Sequence, residues 1–152
     1  MSIPSLLNIY SMKKFILAGL FVIVAGISSF AQCDKKVIIS STKTEYLDAN
    51  GDVQRSVDEI TSIEYDKKDI IINHGDNPSM QGTIDSMTCN WKTPFKEGKT
   101  VIKTSITNPQ GQTISLTITI EGKEGKINFL AEMAEMPDQK IRIVVEKFEE
   151  KK

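Results

Sequence analysis

Between Thr113 and Glu121 the apolar side chains Ile114, Leu116, Ile118 and Ile120 alternate without exception with Ser115, Thr117 and Thr119. A period of two suits a pleated strand with one face buried and the other wet, and no helical spacing fits it. The same rhythm recurs on either side. Lys99 to Thr107 leads in through Asn108-Pro109-Gln110-Gly111, where proline presets one turn dihedral and glycine tolerates a positive one. Gly125 to Met133 follows Glu121-Gly122-Lys123-Glu124 and sets Ile127, Phe129, Ala131 and Met133 on one face. Lys140 to Phe148 follows Met136-Pro137-Asp138-Gln139 and aligns Ile141, Ile143 and Val145. Four consecutive strands with short turns predict an antiparallel meander.

The first half is less regular and reads the same way. Val37 to Leu47 and Val53 to Tyr65 flank Asp48-Ala49-Asn50-Gly51-Asp52, and Asn-Gly between strand-like runs signals a hairpin. Ile70 to Asn73 and Gly82 to Trp91 complete the set. Composition agrees, since residues 32–152 hold 16 Ile, 6 Val and 12 Thr against 3 Leu and 3 Ala, which favours strands over helices. No connection is long enough for a crossover helix, so sequential strands should pair antiparallel. The expected fold is all-β: an eight-stranded antiparallel meander closing into an up-and-down barrel, with a two-sheet β-sandwich as the alternative. Closure removes the sticky edges of an open sheet. A barrel of this strand number either fills its interior with side chains or holds one small ligand.

Residues 1–31 stand apart. They contain no acidic residue, carry Lys13 and Lys14, then run through the apolar stretch Phe15 to Ile27 to Ser28-Ser29-Phe30-Ala31. Basic, apolar and small-residue regions in that order make a signal peptide, and Ser29 and Ala31 predict cleavage between Ala31 and Gln32. Met12 can serve as the start, because the eleven residues before it carry no charge and add nothing that the signal needs. The rival reading, a transmembrane anchor, needs roughly 20 apolar residues and a following charge cluster. Lipidation at Cys33 would want a small residue before the cysteine, where Gln32 stands. The expectation is an exported protein, periplasmic or extracellular, whose residues 32–152 form a single domain without a stable membrane anchor.

Removing the leader leaves 17 basic and 20 acidic side chains, interleaved as in Gly122-Lys123-Glu124-Gly125-Lys126. Such a surface lacks the basic footprint of a nucleic-acid binder. Cys33 and Cys89 are the chain's two cysteines, and an even number in an exported protein is most simply one disulfide. A redox or metal role would want C-x-x-C spacing or a histidine close by in sequence.

Candidate chemistry is sparse. His74 is the only histidine, in Asn73-His74-Gly75-Asp76, and a catalytic reading would pair it with Asp76 and a serine; no nucleophile elbow accompanies it, so a satisfied or exposed loop histidine is expected. Asp48, Asn50, Asp52, Ser56 and Glu59 fall at calcium-loop positions 1, 3, 5, 9 and 12, yet position 6 is Val53 where glycine is needed, and Asn50-Gly51 explains the turn without a metal. No catalytic residue, metal or cofactor is expected. The large aromatics Tyr46, Tyr65, Trp91 and Phe95 could line a pocket or a contact surface, with core filling as the simpler reading. Met133, Met136 and Phe148 read as core as well.

Over Val37 to Phe148 the helix-poor, eight-stranded pattern resembles, in architecture, small secreted lipocalin-like and avidin-like bacterial barrels. Lipocalins carry G-x-W in their first strand, whereas Trp91 lies in the fourth here, within Cys89-Asn90-Trp91, so no family site residue is carried over. Fold does not imply function. Three functions compete. A binding protein for a small apolar ligand would need a cavity among Ile102, Ile106, Ile114, Leu116, Ile118, Phe129 and Ile143. An interaction or inhibitor module facing a protein partner would need a filled core and an exposed apolar patch. An enzyme is the weakest reading.

Overall fold

The computed structural model describes residues 32–152, so the leader, its cleavage site and the choice of Met12 as start lie outside the described residues. A single 3-10 turn, Gln32–Asp34, precedes the strands β1 (Val37–Leu47), β2 (Val53–Tyr65), β3 (Asp69–His74), β4 (Met80–Thr93), β5 (Glu97–Thr107), β6 (Thr113–Lys123), β7 (Lys126–Met133), β8 (Met136–Val144) and β9 (Lys147–Glu150). Each strand from β2 to β7 pairs with the next, and β1 lies against both β8 and β2, closing the ring. All of these pairings are antiparallel. The fold is therefore an eight-stranded up-and-down barrel, with β9 continuing the line of β8 against the first half of β1.

Two features of the last hairpin correct the sequence expectation. The chain turns at Ala134 and Glu135, so that Met133 pairs with Met136, and Pro137-Asp138-Gln139 forms a bulge inside the strand rather than the turn before it. Proline cannot donate to the ladder, and a bulge accommodates it. Glu135 fixes the tight turn by accepting the Ser115 N–H at 3.1 Å, which holds its carboxyl below the usual range. The expected strand Lys140 to Phe148 is also interrupted at Val145 and Glu146. Opposite that break, β1 changes phase: its fully buried residues pass from Val37, Ile39 and Ser41 to Thr44. Ser41 stitches the kink, its hydroxyl donating to the Val144 carbonyl at 2.7 Å and accepting the Lys43 N–H at 3.0 Å.

One end of the barrel is solid. Trp91 is wholly buried there, and the register sets it beside Gly98 of β5, which in turn faces Gly122 of β6. A Cβ on Gly98 would meet the Trp91 backbone at 2.4 Å, and one on Gly122 would meet the indole Cζ3 at 2.7 Å, so the two glycines make the space that the ring fills. The indole N–H donates to Thr100 Oγ1 at 2.7 Å. The phenol of Tyr65 is held by the same Thr100, and burial pushes its pKa up. Phe148 packs against Trp91 at 5.3 Å between ring centroids and against Phe95 at 5.0 Å.

The 3-10 turn covers this end. Cys33 is bonded to Cys89 of β4, their Cα atoms 5.8 Å apart. Gln32 is buried beside it and accepts the N–H of Phe95 at 2.6 Å, holding a residue whose φ of 58° would otherwise be costly. Among the described residues no helix is long and apolar enough to cross a membrane.

Candidate functional site: a cavity at the open end

The opposite end of the barrel is hollow. A cavity of about 230 Å³ is lined by residues from all eight strands β1 to β8, most of them apolar. The space is larger than the roughly 150 Å³ that takes up benzene in an engineered core, and smaller than the roughly 300 Å³ at which drug-sized pockets begin. It suits a small apolar molecule, or one end of a longer one reaching in through the mouth.

Six of the seven interior positions named from the sequence line this space: Ile106, Ile114, Leu116, Ile118, Phe129 and Ile143. Ile102 does not. It is wholly buried nearer the solid end, two residues along β5 from Thr100. Alternation sets which face a residue occupies but not its height along the barrel axis. Ala131, Ile63, Ile72 and Ile141 complete the apolar wall, with Met80 and Met133 at its rim.

Besides Tyr46, three polar side chains interrupt that wall, all supplied by neighbouring strands. Thr44 of β1 faces Thr61 of β2 with their hydroxyl oxygens 3.5 Å apart, and Thr61 Oγ1 lies 3.3 Å from Nδ1 of His74 at the end of β3. The far nitrogen of the ring, Nε2, sits 2.9 Å from Glu59 Oε2. Register explains the alignment. Thr61 pairs with His74, Ile63 with Ile72 and Tyr65 with Ile70, so the residues that face inward on β2 meet the ones that face inward on β3. Glu59 lies two residues before Thr61, on the same face, and its neighbour Ile60 is turned outward with 74% of its surface exposed. The phase that buries Ile63 and Tyr65 thus points a carboxylate inward and an isoleucine out. The other carboxylate oxygen, Glu59 Oε1, is buried with no hydrogen-bond partner among the described residues.

His74 is satisfied, one of the two states expected of it, but at the end of a strand rather than in a loop: its ring is bonded to Thr61 and Glu59, while Asp76, the partner a catalytic reading would want, is exposed in the turn beyond. The signal was present in the alternation of Glu59, Thr61, Ile63 and Tyr65, which puts the carboxylate and the hydroxyl on the barrel's inner face. The first position of the calcium count is engaged in the turn itself. Asp48 caps its hairpin turn by accepting the N–H groups of Asn50 and Asp52, each at 2.9 Å. No group of three or more metal-ligating side chains occurs among the described residues.

The aromatics divide between the two ends. Trp91, Phe95, Tyr65 and Phe148 belong to the solid end, and Tyr46 lines the cavity, its ring covered by the Arg55 guanidinium at 4.1 Å. Met133 reaches the cavity, whereas Met136, expected in the core, is 42% exposed because the hairpin turns before it. Comparisons of the chain with family models, with curated proteins and with solved structures found no match.

Proposed function

We propose that the protein is exported through its N-terminal leader to the periplasm or the cell exterior and binds a small apolar ligand inside its barrel, without catalysing a reaction. The observation that carries this reading is the cavity of about 230 Å³, lined mostly by apolar residues, at one end of a barrel whose other end is packed solid. A filled barrel would gain more dispersion and burial than a hollow one, so an apolar void of this size is a cost to stability that a ligand offsets. The few polar groups in the lining follow the pattern of binding sites in general, where apolar surface supplies affinity and a small number of hydrogen-bonding groups set orientation. The disulfide supports export, because such bonds persist in oxidising compartments.

The test is a native mass spectrum of the protein secreted by a bacterial host and purified without delipidation. An additional mass that stays bound in the native spectrum and leaves on denaturation is the expected result. Bare protein, together with no uptake of added apolar compounds, would refute ligand binding and move the function to the outer surface, where Ile60 stands exposed.

A further inference from the structure

At the solid end, half of the Gln32 side-chain amide is satisfied and half is not. Its Oε1 accepts the N–H of Phe95 at 2.6 Å, whereas Nε2 is buried with no hydrogen-bond partner among the described residues. Exchanging oxygen and nitrogen is no remedy, because the NH2 group would then face the Phe95 N–H donor to donor. The residue as a whole is 3% exposed, and a buried donor without an acceptor carries a desolvation cost that no contact offsets. Its surroundings keep it there. The next residue, Cys33, is bonded to Cys89, and the Lys35 N–H donates to the Gln32 carbonyl at 3.1 Å, so the backbone that carries the amide is anchored.

We infer that Gln32 is a modification site, cyclised to pyroglutamate as the first residue of the exported protein. This rests on the proposal that the leader directs export, and adds the fate of the residue that cleavage between Ala31 and Gln32 places at the terminus. The neutral α-amine attacks Cδ of its own side chain. The new N–Cδ bond closes a five-membered lactam, the Cδ–Nε2 bond breaks, and Nε2 leaves as ammonia, taking one proton from the amine. The step is intramolecular and needs no oxidant, reductant or co-reactant. The atom it expels is the one without a partner, and the atom it keeps, Oε1, becomes a lactam carbonyl that still accepts the Phe95 N–H. Cyclisation also removes the ammonium charge that cleavage leaves on this residue, and the ring has fewer free torsions to fix than an open glutamine side chain.

The experiment expresses the full chain in an exporting bacterial host and records both the intact mass and the N-terminal peptide, with Gln32→Asn in parallel, since an asparagine side chain is too short to close an unstrained ring. The expected result is a chain beginning at residue 32 and lighter than its sequence by about 17 Da, the ammonia lost, in the intact protein as well as in the peptide, with no α-amine open to labelling. Gln32→Asn should keep its full mass and a reactive α-amine, and its Phe95 amide should exchange about tenfold faster than in the cyclised protein, having lost the acceptor. A chain that begins at Gln32 with full mass would overturn the modification and leave export and cleavage standing, as would a loss seen in the peptide alone, which is an effect of digestion. A chain that begins at another residue would overturn it by moving Gln32 from the terminus, and one that keeps its leader would overturn the export reading itself. Equal exchange at Phe95 in the two proteins would overturn the role given to Oε1.

Discussion

The indole N–H of Trp91 donates to the hydroxyl of Thr100 at 2.7 Å, and both side chains are shut away from water. A buried donor that loses its acceptor carries the full cost of desolvation. Thr100→Val keeps the shape and removes the acceptor, and is expected to lower stability by about 1–3 kcal/mol, read as a fall in the urea midpoint with an unchanged slope. An unchanged midpoint would show that the ring is held by packing alone.

The bond between Cys33 and Cys89 spans 56 residues and fastens the 3-10 turn across the solid end. A cross-link over a loop of that length is worth on the order of 4 kcal/mol through the entropy of the unfolded chain. The double variant Cys33→Ser with Cys89→Ser should lose most of that stability. Gln32 would also lose its fixed position, and the amide of Phe95 its acceptor. Hydrogen exchange at Phe95 rising with reduction, while the β5–β6 amides stay protected, is the expected local signature.

Acid should weaken the fold through Glu64 and Asp66, alongside the exposed Glu135 described above. Glu64 is contacted by Lys151 and Lys36, and the Lys151 hydrogen bond in particular holds its pKa below the usual value. Asp66 accepts the N–H groups of Asp69 at 3.0 Å and Lys68 at 2.7 Å, with the same effect. A carboxyl whose pKa is depressed in the folded state contributes stability above its unfolded value, near 4, and that stability is lost as pH falls through the folded value. The denaturation midpoint is expected to be flat from pH 7 to about 5 and to fall below about 4. Replacing Glu64 and Asp66 with Gln and Asn should make the acid limb shallower, and a limb of the same steepness would assign acid sensitivity to other groups.

How much of this was legible in the sequence varies residue by residue. Ile114, Leu116, Ile118 and Ile120 announce their strand because a period of two has no helical counterpart, and short turns leave antiparallel pairing as the available connection. The inner face followed from the same alternation. What alternation cannot express is height along the barrel, and so Ile102 was grouped with Ile106 although one belongs to the solid end and the other to the cavity. The plug depends on Trp91, Gly98 and Gly122 meeting across three strands, a long-range coincidence of register rather than a local pattern. Pro137-Asp138 misled because the same residues favour a turn and a bulge, and the tight pairing of Met133 with Met136 decides between them. His74 looked isolated for a similar reason, since its partners Glu59 and Thr61 lie on the neighbouring strand.

Ala131 offers a direct handle on the cavity. It is buried on β7 and contributes to the apolar wall opposite open space. Ala131→Leu would place three more carbons in that space, and cavity-filling substitutions of this kind commonly raise stability by about 0.5–2 kcal/mol. The expected outcome is a protein at least as stable as the parent that no longer takes up 1-octanol. Loss of stability would mean that the side chain at this position has no room to enter the chamber.

The central claim is that one end of the barrel is hollow and receptive while the other is solid, and methyl NMR of isoleucine-labelled protein tests it most directly. Titration with 1-octanol is predicted to shift the methyl resonances of Ile106, Ile114, Ile118 and Ile143, which line the cavity, and to leave those of Ile102 and Ile120 at the packed end in place. Shifts spread evenly over both sets, or confined to outward residues such as Ile60, would contradict it.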